Sequence, residues 1–212
     1  MTHRRIVVGL GAVTRRRELE AAASLAGRID AELVGLFVED AQLLRFAALP
    51  FAREIGMASA RRSRLEVPAL ERAMRAHAAD AERALAAAAQ GTAPRWSFRV
   101  ARGVVAAELI AVATEQIDAD SALRLLLLGD GGSPVTRWAQ EACAGFARDE
   151  APVRPELVQS ANLAELAAAL DAGAPGIVVL RAEESVLAQR GLPDLLRQAA
   201  VPVLVLSAHM GK

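Results

Sequence analysis

The stretch Ile6–Leu10 reads Ile-Val-Val-Gly-Leu, which is a short and continuous apolar run. Such runs are typical of strands in parallel sheets that helices cover on both faces. A helix is predicted after this run, because Leu19, Ala22 and Ile29 recur at helical spacing. Residues 33–38 form a second apolar run, so the helix between the two predicts a right-handed parallel crossover.

The same pattern continues along the chain. Further strands are predicted at 96–100, 125–128, 156–159, 177–180 and 203–206. Alternating polarity at 96–100 and mixed polarity at 156–159 favour edge positions, and the apolar runs at 177–180 and 203–206 favour interior ones. The alternation at 96–100 also predicts that its polar row faces water. The fold class is therefore predicted as α/β, with a doubly wound and mostly parallel sheet.

A long helix is predicted to begin at Pro68 and to end near Gly91. One face carries an apolar stripe that we expect to pack on the sheet, made of Leu70, Met74, His77, Ala81, Leu85 and Ala88. His77 is therefore interpreted as a packed histidine rather than a ligand. His3 and His209 lie far from it in the sequence, so no metal site is predicted.

The amino-acid composition limits the kinds of molecule that the chain is expected to bind. The chain has 25 basic and 25 acidic residues, 3% aromatic residues and no tyrosine, which disfavours nucleic acid and anionic membranes as partners. Cys143 is the single cysteine, no apolar stretch is long enough to span a bilayer, and no secretory leader is recognised at the start. We expect a soluble cytoplasmic protein without an integral membrane segment. No set of nucleophile, base and orienting residue is recognised, so catalysis is not predicted.

Three motifs carry a resemblance to a known family. They are Leu-Phe-Val-Glu-Asp at 36–40, Arg-Gly-Val-Val-Ala-Ala-Glu-Leu-Ile at 102–110, and Leu-Leu-Leu-Gly-Asp at 126–130. With the order of elements around them, they make residues 4–132 resemble the universal stress protein family. Family members have a five-stranded parallel sheet, commonly dimerise through the last strand, and fall into ATP-binding and non-binding groups. The resemblance therefore implies a homodimer.

The end of the chain resembles the closing strand of that family twice. Ala151-Pro152 with the strand that follows carries the first likeness, and residues 200–206 carry the second. The family often occurs in tandem. The resemblance therefore implies a first domain over 1–150 and a reduced second copy over 151–212 that extends the sheet.

In the ATP-binding members, an aspartate follows strand one, and a Gly-x2-Gly-x9-Gly-[Ser/Thr] pattern follows strand four. Gly11 stands at the aspartate position of this chain. Gly129 and Gly132 match the start of the pattern, but Ala142 and Cys143 occupy its last two positions. A Cβ at 142 hinders close approach of a phosphate, and a thiol is a poorer donor than a hydroxyl. The resemblance thus implies a non-catalytic stress-response or regulatory protein with a degenerate nucleotide site.

A ligand crevice is expected outside the carboxyl ends of strands one and four, where the strand order reverses. Its candidate residues are Gly9, Gly11, Thr14, Glu39, Asp40, Gly129, Asp130, Gly131, Gly132 and Ser133. In the alternative function, they bind and even hydrolyse ATP or another adenine nucleotide, with help from Arg15–Arg17. In the structural interpretation, the glycines permit tight turns, the acidic residues cap a loop, and the arginines form a solvated face.

Residues 41–66 interrupt the regular pattern and are interpreted as an insertion. Apolar residues such as Phe46, Leu49 and Phe51 precede a basic cluster at 61–64. This composition is typical of a dimer contact, a segment that docks on a membrane surface, or a flap over the chain's own sheet. A scaffold that recruits a partner through this insertion is a further alternative function.

Overall fold

The computed structural model of the chain describes residues 4–11, 15–55, 62–93, 95–115, 123–129, 133–146, 156–172 and 176–207. Strands and helices alternate along most of these residues. The first half contains β1 (Arg5–Leu10), α1 (Arg16–Ile29), β2 (Glu32–Asp40), α2 (Ala41–Ala47), β3 (Arg53–Ile55), β4 (Arg62–Arg64), α3 (Val67–Ala89) and β5 (Arg95–Gly103). The second half contains α4 (Val105–Thr114), β6 (Arg124–Leu128), α5 (Pro134–Phe146), β7 (Glu156–Ser160), α6 (Leu163–Asp171), β8 (Gly176–Arg181), α7 (Glu184–Leu187), α8 (Leu192–Ala199) and β9 (Val203–Leu206).

Seven of the described strands form one parallel sheet in the order β5-β2-β1-β9-β8-β6-β7, and β3 and β4 form a separate antiparallel pair. The α/β class and the doubly wound parallel sheet are thereby confirmed. The predicted edge strands are indeed β5 and β7, and the apolar runs at 177–180 and 203–206 are the interior strands β8 and β9.

Right-handed crossovers explain which face each helix covers. The chain moves in one direction from β1 through β2 to β5, and α1 and α3 pack on the first face. It then crosses to β6 and β7 in the opposite direction, which brings α4 and α5 to the second face. From β7 it returns through β8 to β9, so α6, α7 and α8 lie on the first face again.

Each interior strand divides its side chains between two apolar cores. Leu126 and Leu128 of β6 belong to the core of the first face, where α6 packs on β6, whereas Leu125 and Leu127 belong to the core under α4 and α5. Full burial of one such side chain stabilises the fold by roughly 1.5–3 kcal/mol. This division explains why the interior strands contain continuous apolar runs and show no alternation.

The strand β9 lies between β1 and β8 and is hydrogen-bonded to both. Of the two segments that resemble the closing strand of universal stress proteins, this one has no open edge, so the expected dimer through the last strand is wrong for 203–206. The other segment, β7, has an open edge. The division at residue 150 stays a prediction, and strands from both sides of it belong to one sheet.

Two helix starts carry signals that are visible in the sequence: Asn162 and Glu165 have the spacing of a capping box, and a proline stands where α3 begins. Asn162 Oδ1 accepts a hydrogen bond from the Glu165 amide at 3.0 Å, and Glu165 Oε2 accepts one from the Ala161 amide at 2.7 Å. Pro68 lies in the first turn of α3. In the part of the chain that the structure describes, none of the helices combines the length and the apolar character needed to cross a membrane.

Candidate functional site

The carboxyl ends of the strands line up along one edge of the sheet, where ligands bind in folds of this class. From β5 to β7, the described residues at this edge are Gly103, Asp40, Gly11, Ser207, Arg181, Gly129 and Ser160. Four candidate residues, Thr14, Asp130, Gly131 and Gly132, lie outside the described residues. The positions of the other six are known.

The expectation that strands one and four flank a single crevice is wrong. The two strands are β1 and β6, and both β9 and β8 lie between them. Three strand spacings separate Gly11 from Gly129 by roughly 14 Å across the sheet. Strand order is set by long-range pairing, so the local sequence around each glycine carries no information about which strands become neighbours.

The glycine at the end of β6 does lie at a topological switch point. The connection after β6 leads to α5 on one face, whereas those after its neighbours β7 and β8 lead to α6 and α7 on the other. Gly129 has a φ of +145°, which disfavours any other residue. Its amide donates to the Ser160 carbonyl at 3.0 Å, and its carbonyl accepts from Gln159 Nε2 at 3.2 Å.

Ser133 acts locally on the helix that it precedes. Its Oγ accepts a hydrogen bond from the Thr136 amide at 3.1 Å and lies 2.9 Å from the Thr136 hydroxyl. Both side chains are buried. Ser133 is therefore the N-cap of α5, and Pro134 occupies the first helical position.

The two residues that replace the end of the phosphate pattern also lie on α5. Ala142 is buried in the core of the second face, and Cys143 packs against the same core. Burial raises the pKa of the Cys143 thiol, so the reactive thiolate is disfavoured. Both side chains serve packing.

Glu39 and Asp40 are engaged within the chain. The Glu39 carboxylate is buried, accepts a hydrogen bond from Arg102 Nε at 2.8 Å, and lies 2.7 Å from Arg102 Nη2. Arg102 Nη2 also lies 3.3 Å from Glu71 of α3. The hydrogen bond to Glu39 and the charge of that carboxylate raise the pKa of Arg102. Asp40 Oδ1 accepts from the amides of Gln42 and Leu43, so Asp40 caps α2.

The basic cluster at the start of α1 faces solvent. Arg15, Arg16 and Arg17 are all exposed, and Arg16 Nε lies 2.7 Å from Glu20 Oε1. Arg17 lines a cleft of about 320 Å³ between α1 and α7. Glu20, Arg28 and Glu184 also line this cleft, so its charges are mixed. This arrangement is typical of a solvated face.

The interpretation of His77 as a packed side chain is wrong. His77 is exposed on α3, and the helix buries Met74, Ala78, Ala81 and Leu85 instead. A small alanine suffices where the helix approaches the sheet closely, so the buried stripe runs one residue beyond His77. His3 and His209 lie outside the described residues. Among the residues that the structure describes, no group of three His, Cys, Asp or Glu side chains is placed to hold a metal ion.

The edge strand β5 departs from the predicted pattern. Its alternation is real, but the apolar row is the more exposed one: Trp96 is 42% and Val100 51% exposed. Ser97 and Arg99 of the polar row are partly buried, because they contact Glu32 and Glu115. An alternating sequence does not reveal which face a helix leaves uncovered, so sequence reasoning missed this apolar row.

The insertion at 41–66 extends the exposed apolar row. It contains α2 and the β3–β4 pair, and α2 contacts α3 and β5. Together, α2, the turn after it, β5 and the residue that follows β5 form what we call the α2–β5 surface. Its exposed side chains are Leu43, Phe46, Leu49, Phe51, Trp96, Val100 and Val104. Among the described residues, the exposed large apolar side chains all belong to this surface.

No family model and no curated protein matches the chain.

Proposed function

We propose that the chain is a non-catalytic regulatory protein of the universal-stress-protein type, which acts by docking protein chains on the α2–β5 surface. The observation that carries the proposal is the exposure of this surface, where Phe51 is 69% and Phe46 47% exposed. Exposed large apolar side chains that are concentrated in one region of a folded protein mark interaction sites. The stress-response part rests on the sequence resemblance alone, and the proposed cytoplasmic location rests on the presence of a single cysteine, Cys143.

The chemistry of the surface fits a protein partner. Aromatic side chains are enriched at interfaces and carry much of their binding free energy. Phe46, Phe51 and Trp96 supply three of them. The support beneath is ordered, because Asp40 caps α2 and Leu44 packs against the core of the first face. A preorganised surface loses little conformational entropy on binding.

The geometry at the carboxyl edge supports a degenerate nucleotide site. Gly11 and Gly129 end strands that are not neighbours. Glu39, Asp40 and Ser133 already bind groups of their own chain. A nucleotide would have to compete with each of these contacts.

The second candidate is an adenine-nucleotide-binding protein that uses the end of β6. It is favoured by one observation, the position of Gly129 at a topological switch point. Isothermal titration calorimetry of the purified chain with ATP, ADP and AMP distinguishes this candidate from a protein with a degenerate nucleotide site. We expect no heat of binding for a degenerate site. Micromolar affinity for any of the three nucleotides would instead show that the chain has a functional nucleotide site.

Crosslinking in living cells, read by mass spectrometry, tests the docking function. We expect crosslinks that join the α2–β5 surface to another protein chain. The double variant Phe46→Ser with Phe51→Ser should lose these crosslinks. Arg16→Ser, which changes an exposed residue of α1, is the matched control and should keep them. Crosslinks that are unchanged in the double variant would contradict the proposed function.

A further inference from the structure

The outer edge of β5 is available for pairing. This strand is nine residues long, pairs with β2 on one side, and has no strand on its other side in the described sheet. Half of its backbone amides and carbonyls therefore point away from the sheet. Long open edges with apolar side chains are sites where a second chain adds a strand.

The arginines of β5 do not block such pairing. Charged residues commonly protect sheet edges because two like charges would meet. Here Arg95 lies 3.8 Å from Asp30, Arg99 2.5 Å from Glu115, and Arg102 2.7 Å from Glu39. Each positive charge is offset by a carboxylate of its own chain, so the edge carries no unbalanced charge.

The apolar side chains are distributed so that the surface is complementary to itself. Trp96 lies at the amino end of β5, whereas Val104 and α2 lie at its carboxyl end. If two β5 strands pair antiparallel about a two-fold axis, the amino end of each meets the carboxyl end of the other. Trp96 of each copy then lies beside the α2 region of the second copy, on the same face of the joined sheet.

The size of the surface is sufficient for a dimer. A fully buried aromatic side chain covers about 150–250 Å². From that scale, the exposed parts of the seven side chains offer on the order of 700 Å² per copy. A stable interface of standard size buries about 800 Å² per partner, and the paired backbones of β5 add to the side-chain area.

We infer that the protein that docks on the α2–β5 surface is a second copy of this chain, joined by antiparallel pairing of two β5 strands. This inference rests on the proposed docking function and names its partner. The joined sheet has fourteen strands, with the two-fold axis perpendicular to it between the β5 strands. The opposite edge, β7, is a weaker candidate, because it has five residues and no exposed large apolar side chain.

Sedimentation velocity of the purified chain tests the inference. We expect a species of twice the 22.3 kDa mass of one chain. Val100→Lys places two new charges near the axis and should weaken the dimer at least about tenfold. The control Gln159→Lys puts the same charge on β7 and should leave the dimer intact. A second variant, Phe51→Lys, changes the turn after α2 without touching β5, and circular dichroism verifies that each variant is folded.

Three outcomes would overturn the inference. One is a monomer at all concentrations up to about 100 μM, which excludes ordinary micromolar affinity. Another is a dimer that resists both Val100→Lys and Phe51→Lys. The third is a dimer that Gln159→Lys breaks and Val100→Lys does not. A monomer that still forms Phe46- and Phe51-dependent crosslinks to a different protein in cells would leave the proposed function standing.

Cysteine scanning reports the antiparallel register. In a Cys143→Ala background, single cysteines are placed one at a time over residues 97–101 and oxidised. A disulfide requires two Cα atoms within about 4.4–6.8 Å, so only the positions nearest the axis should link two copies. Linkage at one position or two adjacent ones is expected, and a dimer without linkage anywhere in this range would contradict strand pairing.

Discussion

Gly27 shows how a single residue sets the distance between two helices. It lies near the end of α1, and a Cβ built there would overlap the backbone carbonyl oxygen of Thr92, just beyond α3. Backbone atoms cannot move aside as a flexible side chain can. Gly27 therefore permits the close approach of the two helix ends.

We predict that Gly27→Ala destabilises the fold by about 1–3 kcal/mol, as overpacking usually does. The direction of this change in stability is informative, because alanine normally stabilises a helix by about 1 kcal/mol relative to glycine. Urea unfolding measures the change. Gly11→Ala is the control, since a Cβ at Gly11 meets none of the described atoms within 4 Å, and its effect should stay within about 0.5 kcal/mol. Equal effects of the two substitutions would contradict the close approach.

Glu115 joins three elements at the amino end of the sheet. Its carboxylate lies 2.7 Å from Arg5 of β1 and 2.5 Å from Arg99 of β5, at the end of α4. Partial burial by itself would raise the pKa of Glu115, but the hydrogen bonds from Arg5 and Arg99 outweigh burial and lower the pKa below its usual value.

A group whose pKa is lower in the folded state stabilises the fold above its unfolded pKa, about 4.3 for glutamate, and loses this contribution as pH falls through the folded pKa. We predict that Glu115→Gln lowers the free energy of unfolding at pH 7 by about 1 kcal/mol or less, because the carboxylate is 41% exposed. The difference from wild type should shrink below about pH 4.3. Urea unfolding over pH 3–7 measures it, with the exposed Glu82→Gln as control, and a difference independent of pH would contradict this role.

At the scale of elements, α2 depends on its cap. The helix has only seven residues, and short helices are marginal without outside contacts. The Asp40 side chain satisfies two of its first amides, at 2.8 and 3.3 Å. The orientation of Phe46 on the α2–β5 surface depends on this helix.

We predict that Asp40→Ala costs about 1 kcal/mol locally and speeds hydrogen exchange of the α2 amides roughly fivefold. Asp40→Asn is the matched control, because asparagine caps helices about as well as aspartate. Exchange should therefore stay near the wild-type rate in that variant. Equal rates in the alanine and asparagine variants would show that the side chain of residue 40 does not hold α2.

The elements themselves were largely predictable from local sequence. The apolar runs at 6–10 and 203–206, and the capping box of Asn162 and Glu165, correspond to features of the structure. The exposures of His77 and of Trp96 were not predictable. Both depend on which neighbouring element covers a face, and this is decided by residues distant in sequence.

At the scale of the whole molecule, the class of sheet was predictable and the order of its strands was not. Continuous apolar runs indicate parallel strands covered on both faces, whatever their order. The separation of β1 from β6 arises because β8 and β9, which come later in the chain, lie between them. The sequence motifs located candidate residues at the ends of individual strands. They could not predict which strand ends lie next to each other in the sheet.

The central place of β9 has a consequence for the way the protein folds as it is made. The strands β5, β2 and β1 form one block of the sheet, β8, β6 and β7 form another, and β9 joins them. A nascent chain can therefore assemble each block early, yet has two apolar edges exposed until Val203–Leu206 emerge from the ribosome. Contacts so distant in sequence make folding slow and leave partly folded chains prone to aggregation. The newly made protein thus depends on β9 to cover these edges, and it is most exposed to aggregation in the interval before β9 has been made.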